Sequence, residues 1–269
     1  MRGNVLLRTG LLLLIILPVG FLLLTPPLMR CLWISRSVTY RPLAGVKDAY
    51  THQAVTTRQE NQLRQHVATA RNRIVWFWGD RRGQATLIYC PNQSEYEQFC
   101  DGGEGAGCSL GLPWGDSYLI LGPDGNNADV IAHELCHDEL FARLGWWRVK
   151  RQIPQWFNEG LALLVDYRFS KPALWDTPRR PGKRPPTESN SSPFTTRQMI
   201  KLSELETTRD FFGGDYGHTM LAYQTAASEV AHWLSVVGKA GIPALMDAVA
   251  KGDNFSDAYR QLERQRTEK

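Results

Sequence analysis

The sequence predicts an α+β fold: a small sheet packed on a central helix and a mainly helical C-terminal part, behind an N-terminal transmembrane helix. Three observations carry this expectation. Strand-like apolar runs, at residues 85–90 and 117–121, fall in the first half of the body. Apolar residues at helical spacing dominate from residue 127 onward. Residues 9–29 contain no charge over 21 positions, with Arg2, Arg8 and Arg30 flanking them, and about 20 apolar residues suffice to cross a bilayer.

That apolar stretch is longer than the core of a cleaved signal peptide, and residues 25–30 lack the small residues of a cleavage site. Cys31 invites lipidation, but Leu28, Met29 and Arg30 before it are not the small residues such processing favours. The expected organisation is therefore an anchor with its flank at 1–32 and one domain at 33–269. Arg30, Arg36 and Arg41 follow the span and weaken the positive-inside asymmetry, yet a single-pass chain with an extracytoplasmic body, periplasmic if bacterial, fits best. The 269 residues carry 31 basic and 27 acidic side chains; without Arg2, Arg8 and Arg30 the balance is 28 to 27, which gives no argument for a nucleic-acid partner. Hydrophobic content of 43% and charged content of 22% exclude wholesale disorder and a polytopic membrane protein.

Within the body, residues 56–73 are polar with scattered apolar positions and read as a surface helix. A strand is expected at 85–90, a short helix at 94–99, and a second strand at Ser117–Leu121 that ends in the turn 122–125. Asn127 is placed to cap a helix that continues through Val130, Ile131, Leu135, Leu140 and Phe141 to Leu144, where Gly145 ends it. Pro154 opens another helix, carrying Trp156, Phe157, Leu161, Leu164 and Val165. Residues 171–193 hold six prolines and a basic cluster and read as a surface loop. Helical patterns resume at 219–237, 242–249 and 255–264.

The cysteines bear on the compartment. Cys90, Cys100, Cys108 and Cys136 lie in the body, and four cysteines allow three fully paired connectivities. Cys100 and Cys108 bracket a glycine-rich loop that a disulfide would close in an oxidising compartment; buried free thiols are the alternative. No C-x-x-C spacing is present, so a structural zinc ribbon is not supported.

The chemistry lies in His133-Glu-Leu-Cys-His137. At about 100° per residue, histidines four apart fall within about 40° on one helix face, so both imidazoles reach one ion. Glu134 is displaced around the helix, too far to be a ligand yet near enough to act as general base toward water. The motif alone also suits a helix with two solvated histidines. Glu159, in Trp156-Phe-Asn-Glu-Gly-Leu-Ala162, supplies a third ligand if residues 145–153 reverse the chain, because it then lies at the level of the histidines. Gly160 beside it would let the two helices approach closely. Cys136 flanks the metal face, but packing or disulfide formation suits it better than ligation.

Together these residues resemble the gluzincin class of zinc metallopeptidases, and its peptidase MA-like branch, over roughly residues 117–167. In that class an H-E-x-x-H helix is followed by a helix with an N-E-x-x-A-type motif, which Asn158-Glu-Gly-Leu-Ala162 matches. The resemblance implies a zincin-like domain and Zn2+ held by His133, His137 and Glu159, with Glu134 as catalytic base. A peptide or protein substrate would lie along Ser117–Leu121 as the sheet's edge strand. It also suggests Tyr223 as the catalytic tyrosine that stabilises the oxyanion, with Tyr216 and His218 as rival donors. The 21 residues between His137 and Glu159 exceed the aminopeptidase spacer, and no glycine-rich exopeptidase signature is present, which favours endopeptidase action. The competing readings are a zinc-binding scaffold without useful turnover and a non-peptidase zinc amidohydrolase, since metal and base alone select no substrate.

Overall fold

The computed structural model describes residue 20 and residues 25–100, 105–172 and 199–267. Most of the apolar span at 9–29 and nearly all of the proline-rich segment at 171–193 therefore lie outside the described residues. The described chain begins with helix α1 (Pro26–Leu32), then strands β1 (Tyr40–Pro42) and β2 (Ala49–His52). Helix α2 (Thr57–Trp78) starts at a reciprocal capping box between Thr56 and Gln59. Strand β3 (Thr86–Tyr89), the short α3 (Gln93–Tyr96), β4 (Gly107–Gly111) and β5 (Ser117–Leu121) complete a five-stranded sheet of order β1-β2-β3-β5-β4. The remainder is helical: α4 (Ala128–Leu144), α5 (Trp146–Gln152), α6 (Gln155–Val165), α7 (Thr208–Phe212), α8 (Tyr216–Val237), α9 (Gly241–Lys251) and α10 (Phe255–Thr267).

The sheet is mixed. Strands β2, β3 and β5 run parallel, while β1 and β4 pair antiparallel at the two edges. Period-two alternation splits the central strands between two cores. Leu87, Tyr89, Leu119 and Leu121 face the main core with α2, α4, α6 and α8. Ile88, Tyr118 and Ile120 face a smaller core with Leu28, Cys31, Ile34, Tyr40, Tyr96 and Phe99. Residues 26–32, assigned from sequence to the end and flank of the anchor, thus place Leu28 and Cys31 inside the folded body.

Burial on both faces also corrects the position expected for Ser117–Leu121. This strand is internal, hydrogen-bonded to β3 on one side and β4 on the other, and Tyr118, Leu119, Ile120 and Leu121 are all buried. A run apolar at consecutive positions suits such an interior strand. The edge beside the site is Gly107–Gly111, whose glycines and half-buried residues give no strand pattern in the sequence. Helix α2 is likewise longer than expected, and Leu63, Val67, Ala70, Ile74, Phe77 and Trp78 form a buried stripe at helical spacing.

Among the described residues, no single helix is long and apolar enough to cross a membrane. Helices α8 and α9 pass that test only as a pair bent by 101°, and both contribute to the main core.

Candidate metal centre

Helix α4 is positioned at both ends by the residues expected to do so. The Asn127 side chain accepts a hydrogen bond from Asp129 N at 2.7 Å, and Gly145 ends the helix with φ of 77°, a conformation that favours glycine. Between them every residue from Val130 to Leu140 is buried, because α4 packs against α2 and α6 and against β4 and β5. The link to α6 is the additional helix α5, within the stretch expected only to reverse the chain. Pro154 stands at the N-cap of α6, and Glu159 follows on its second turn.

This reversal brings the three expected ligands together. His133 Nε2 lies 3.4 Å and His137 Nε2 3.7 Å from Glu159 Oε2. One ligand atom from each of the three residues lies within 4.8 Å of the others, and all three side chains are buried. Ligand bonds of about 2.0–2.1 Å in a tetrahedral shell require donor separations of roughly 3.3–3.5 Å, so the two carboxylate–imidazole spacings lie close to those of a small-cation site. Two imidazoles and one carboxylate could hold any of several transition metals, and the donor set does not say which.

The electrostatics point the same way. Burial alone would lower the His133 imidazole, but the nearby Glu159, Glu134 and Asp166 carboxylates outweigh it and hold the pKa above the ordinary histidine value. Burial would raise Glu159, yet the His137 and His133 imidazoles keep it below the usual carboxylate range. A cation among these groups would replace the proton that the cluster otherwise favours.

Surrounding side chains orient two of the three candidate ligands. Gln155 Nε2 donates to Glu159 Oε1 at 2.7 Å, leaving Oε2 toward the imidazoles. Asn158 Oδ1 lies 2.9 Å from His137 Nδ1; an amide oxygen only accepts, so Nδ1 carries the proton and Nε2 the lone pair. The fully buried Asp166, clamped by Arg168 through Nε at 2.9 Å and Nη2 at 2.6 Å, places Oδ2 3.7 Å from His133 Nδ1, which itself has no hydrogen-bond partner among the described residues. Comparison with family models and with curated proteins finds no match to this chain. The site is therefore read from its geometry.

Glu134 is buried beside the cluster and held by the edge strand. Ser109 Oγ donates to Glu134 Oε2 at 2.7 Å and approaches its backbone oxygen at 3.2 Å. Gly107 permits this closeness: a Cβ there would come within 3.1 Å of both Glu134 Cγ and Val130 Cγ1. Cys100 and Cys108 form a disulfide that ties this strand to the chain after α3, one of the two pairings states considered from sequence.

Of the other expected residues, Tyr223 packs with Phe169, Phe211 and Phe212 at ring-centroid distances of 6.2, 5.3 and 6.0 Å. Burial first, then the Glu159 and Glu134 charges, raise its hydroxyl far above the ordinary tyrosine value, so it lies in the field of the site. Tyr216 is 77% exposed at the start of α8, and His218 Nε2 lies 2.9 Å from Asp210 O. Cys136 is a free thiol in the main core. Gly160 corrects a further expectation: a Cβ there would meet Ala226 O at 2.6 Å and Val230 Cγ2 at 2.7 Å, so it admits α8 rather than α4. Neighbouring helix positions point about 100° apart, and Glu159 and Gly160 accordingly serve different partners.

The sequence reading missed Asp138 and Glu139. Both are buried: Asp138 accepts from Ala85 N at 3.0 Å and from Ser117 Oγ, and Glu139 accepts from Gly83 N at 2.8 Å and Arg82 N at 3.0 Å. These bonds staple the segment before β3 to the histidine helix. A tandem acidic pair directly after a metal motif, facing a glycine-containing loop, is the only sequence trace of this role.

Proposed function

We propose that this chain is a zinc-dependent, gluzincin-like metallopeptidase, endopeptidase action favoured, with His133, His137 and Glu159 as metal ligands. The convergence of those ligand atoms beside a buried, serine-held Glu134 carries the reading. Zinc suits this donor set and would supply Lewis acidity toward a carbonyl and toward water. Glu134 takes the proton from the attacking water and returns it to the leaving amine; Ser109 occupies Oε2, so Oε1 is the atom that moves the proton. The outer edge of β4, unpaired among the described residues, offers main-chain groups for pairing with an extended peptide, which a peptidase uses and an amidase for small substrates does not. Tyr223, whose hydroxyl feels the charges of Glu159 and Glu134, is the donor assigned to the developing oxyanion.

The reading includes a membrane tether within the uncharged span 9–29, ahead of the Leu28 that is buried in the body, and an extracytoplasmic body. Support comes from the uncharged length of that span and from the Cys100–Cys108 disulfide, which suits an oxidising compartment.

The deciding experiment measures zinc per protein on the full chain in detergent, beside Glu159→Ala and Glu134→Gln, together with hydrolysis of a peptide library. Near-equimolar zinc that is lost in Glu159→Ala, and hydrolysis that disappears in a zinc-loaded Glu134→Gln, are expected. Zinc without hydrolysis in the unaltered chain would favour the scaffold reading, and a folded chain that binds no metal would remove the metallopeptidase reading altogether.

A further inference from the structure

A recess with cationic side chains in its wall lies away from the candidate metal ligands. A cavity of about 430 Å3 is bounded by Lys47 and Asp48 before β2, by Arg71 and Asn72 on α2, and by Arg81 and Gln84 before β3. None of His133, His137 or Glu159 lines it. Lys47 Nζ lies 3.5 Å from Asp48 Oδ2, so the one carboxylate of the lining, which also acts on Arg71, is offset by Lys47, and the Arg71 and Arg81 guanidiniums leave the recess net positive. Arg71 Nη2 reaches Lys47 O at 3.3 Å, while its buried Nε has no hydrogen-bond partner. Arg81 Nε donates to Gly83 O at 2.9 Å, which orients the guanidinium and leaves its terminal nitrogens as donors.

We propose that this recess binds a phosphate-class oxyanion, either phosphate itself or a phosphomonoester group. Two guanidiniums sharing one cavity repel each other, and the Arg71 group is held below its ordinary value by burial first and by Arg81 second. A planar fork of donors matches the tetrahedral oxygens of phosphate, and a dianion relieves the repulsion between the two guanidiniums. The wall is fixed before a ligand arrives, because the N–H groups of Arg82, Gly83 and Ala85 are already bonded to Glu139 and Asp138. Little ordering cost is left for binding. The volume exceeds that of phosphate alone and lies in the range of small organic ligands, which leaves room for an ester substituent.

Calorimetric titration of the full chain in non-ionic detergent, at low salt and with metal removed by chelator, tests this with inorganic phosphate and, separately, glycerol 3-phosphate. Metal removal prevents phosphate binding at the other site from imitating the result. Saturable binding of at least one probe is expected, weakened by about tenfold or more in Arg71→Gln and in Arg81→Gln. Lys47→Gln should weaken it as well, by unmasking Asp48. Equal affinity for the probes identifies phosphate as the ligand; tighter glycerol 3-phosphate binding identifies an ester such as a lipid headgroup. The exposed Arg81 and Lys47 keep the test decisive if Arg71→Gln unfolds. No saturable binding of either probe, or affinities unchanged in Arg81→Gln and Lys47→Gln, would overturn the proposal.

Discussion

Asn158 and Glu159 are adjacent in sequence, yet they act on different atoms of the site. Glu159 Oε2 faces both Nε2 atoms, while Asn158 grips the far nitrogen of His137 at 2.9 Å. A ligand imidazole whose tautomer is fixed in advance binds metal more tightly than one that must sort its protons. Asn158→Ala is therefore expected to keep the fold and lower metal affinity by about 10–100-fold, read by competition with a chromogenic chelator. Unchanged affinity would show that packing alone orients His137. Tyr223→Phe separates a different role, since only the hydroxyl is removed and the contacts with Phe169, Phe211 and Phe212 persist. Its metal content should equal that of the unaltered chain, and turnover should fall by about 100-fold if the hydroxyl stabilises the oxyanion. Full turnover would take Tyr223 out of the mechanism.

At the scale of elements, the histidine helix is held less by its ends than by what its second half grips. Asp138 satisfies Ala85 N and Ser117 Oγ at once, joining the entries of β3 and β5 to α4. Asp138→Ala leaves both donors in a buried setting, and a loss of about 2 kcal/mol or more follows. Urea unfolding should show a lower midpoint at unchanged slope; an unaltered midpoint would mean that water replaces the carboxylate. Gly160→Leu should also destabilise, because Ala226 O and Val230 leave no room for a side chain and α6 would separate from α8. Elements with long periodicity and distinct punctuation were legible in the sequence: α4 between Asn127 and Gly145, and α6 after Pro154. So was the convergence of the candidate ligands they carry, because helix geometry dictates the spacing. Strands of three to five residues containing Pro42, Gly107 and Gly111 were not legible, since pairing and not propensity makes them strands. Ser109 was missed for the same reason: its contact with Glu134 exists only once β4 occupies the edge. Asp138 and Glu139 look like solvated charges until the loop at 82–85 folds over them.

The molecule as a whole rests on two cores separated by the sheet, and the smaller one joins the N-terminal helix to the body. Cys31 from α1 and Cys90 after β3 both lie within it at 0% exposure, beside the Tyr40 hydroxyl, which is 3.3 Å from Cys90 Sγ. Burial is the main cause that raises each thiol from about 9 to about 12, with Cys90 adding to the shift of Cys31. A group whose folded pKa is raised contributes stability that is complete below its unfolded value and is lost as pH rises through the folded one. From about pH 9 to pH 12 the unfolded chain releases thiol protons that the folded chain retains, so stability should fall by up to about 1.4 kcal/mol per pH unit for each thiol. Below pH 9 these thiols contribute no slope, and iodoacetamide at pH 8 should modify Cys31 and Cys90 only as fast as the small core opens. Denaturant midpoints collected from pH 7 to pH 11, for the unaltered chain and for Cys90→Ala, check the linkage. The variant should start lower because of its cavity and then decline less steeply above pH 9. Parallel curves would assign the alkaline loss to lysines and tyrosines elsewhere, and rapid native-state alkylation would show that α1 leaves the sheet far more readily than its buried Leu28 and Cys31 imply.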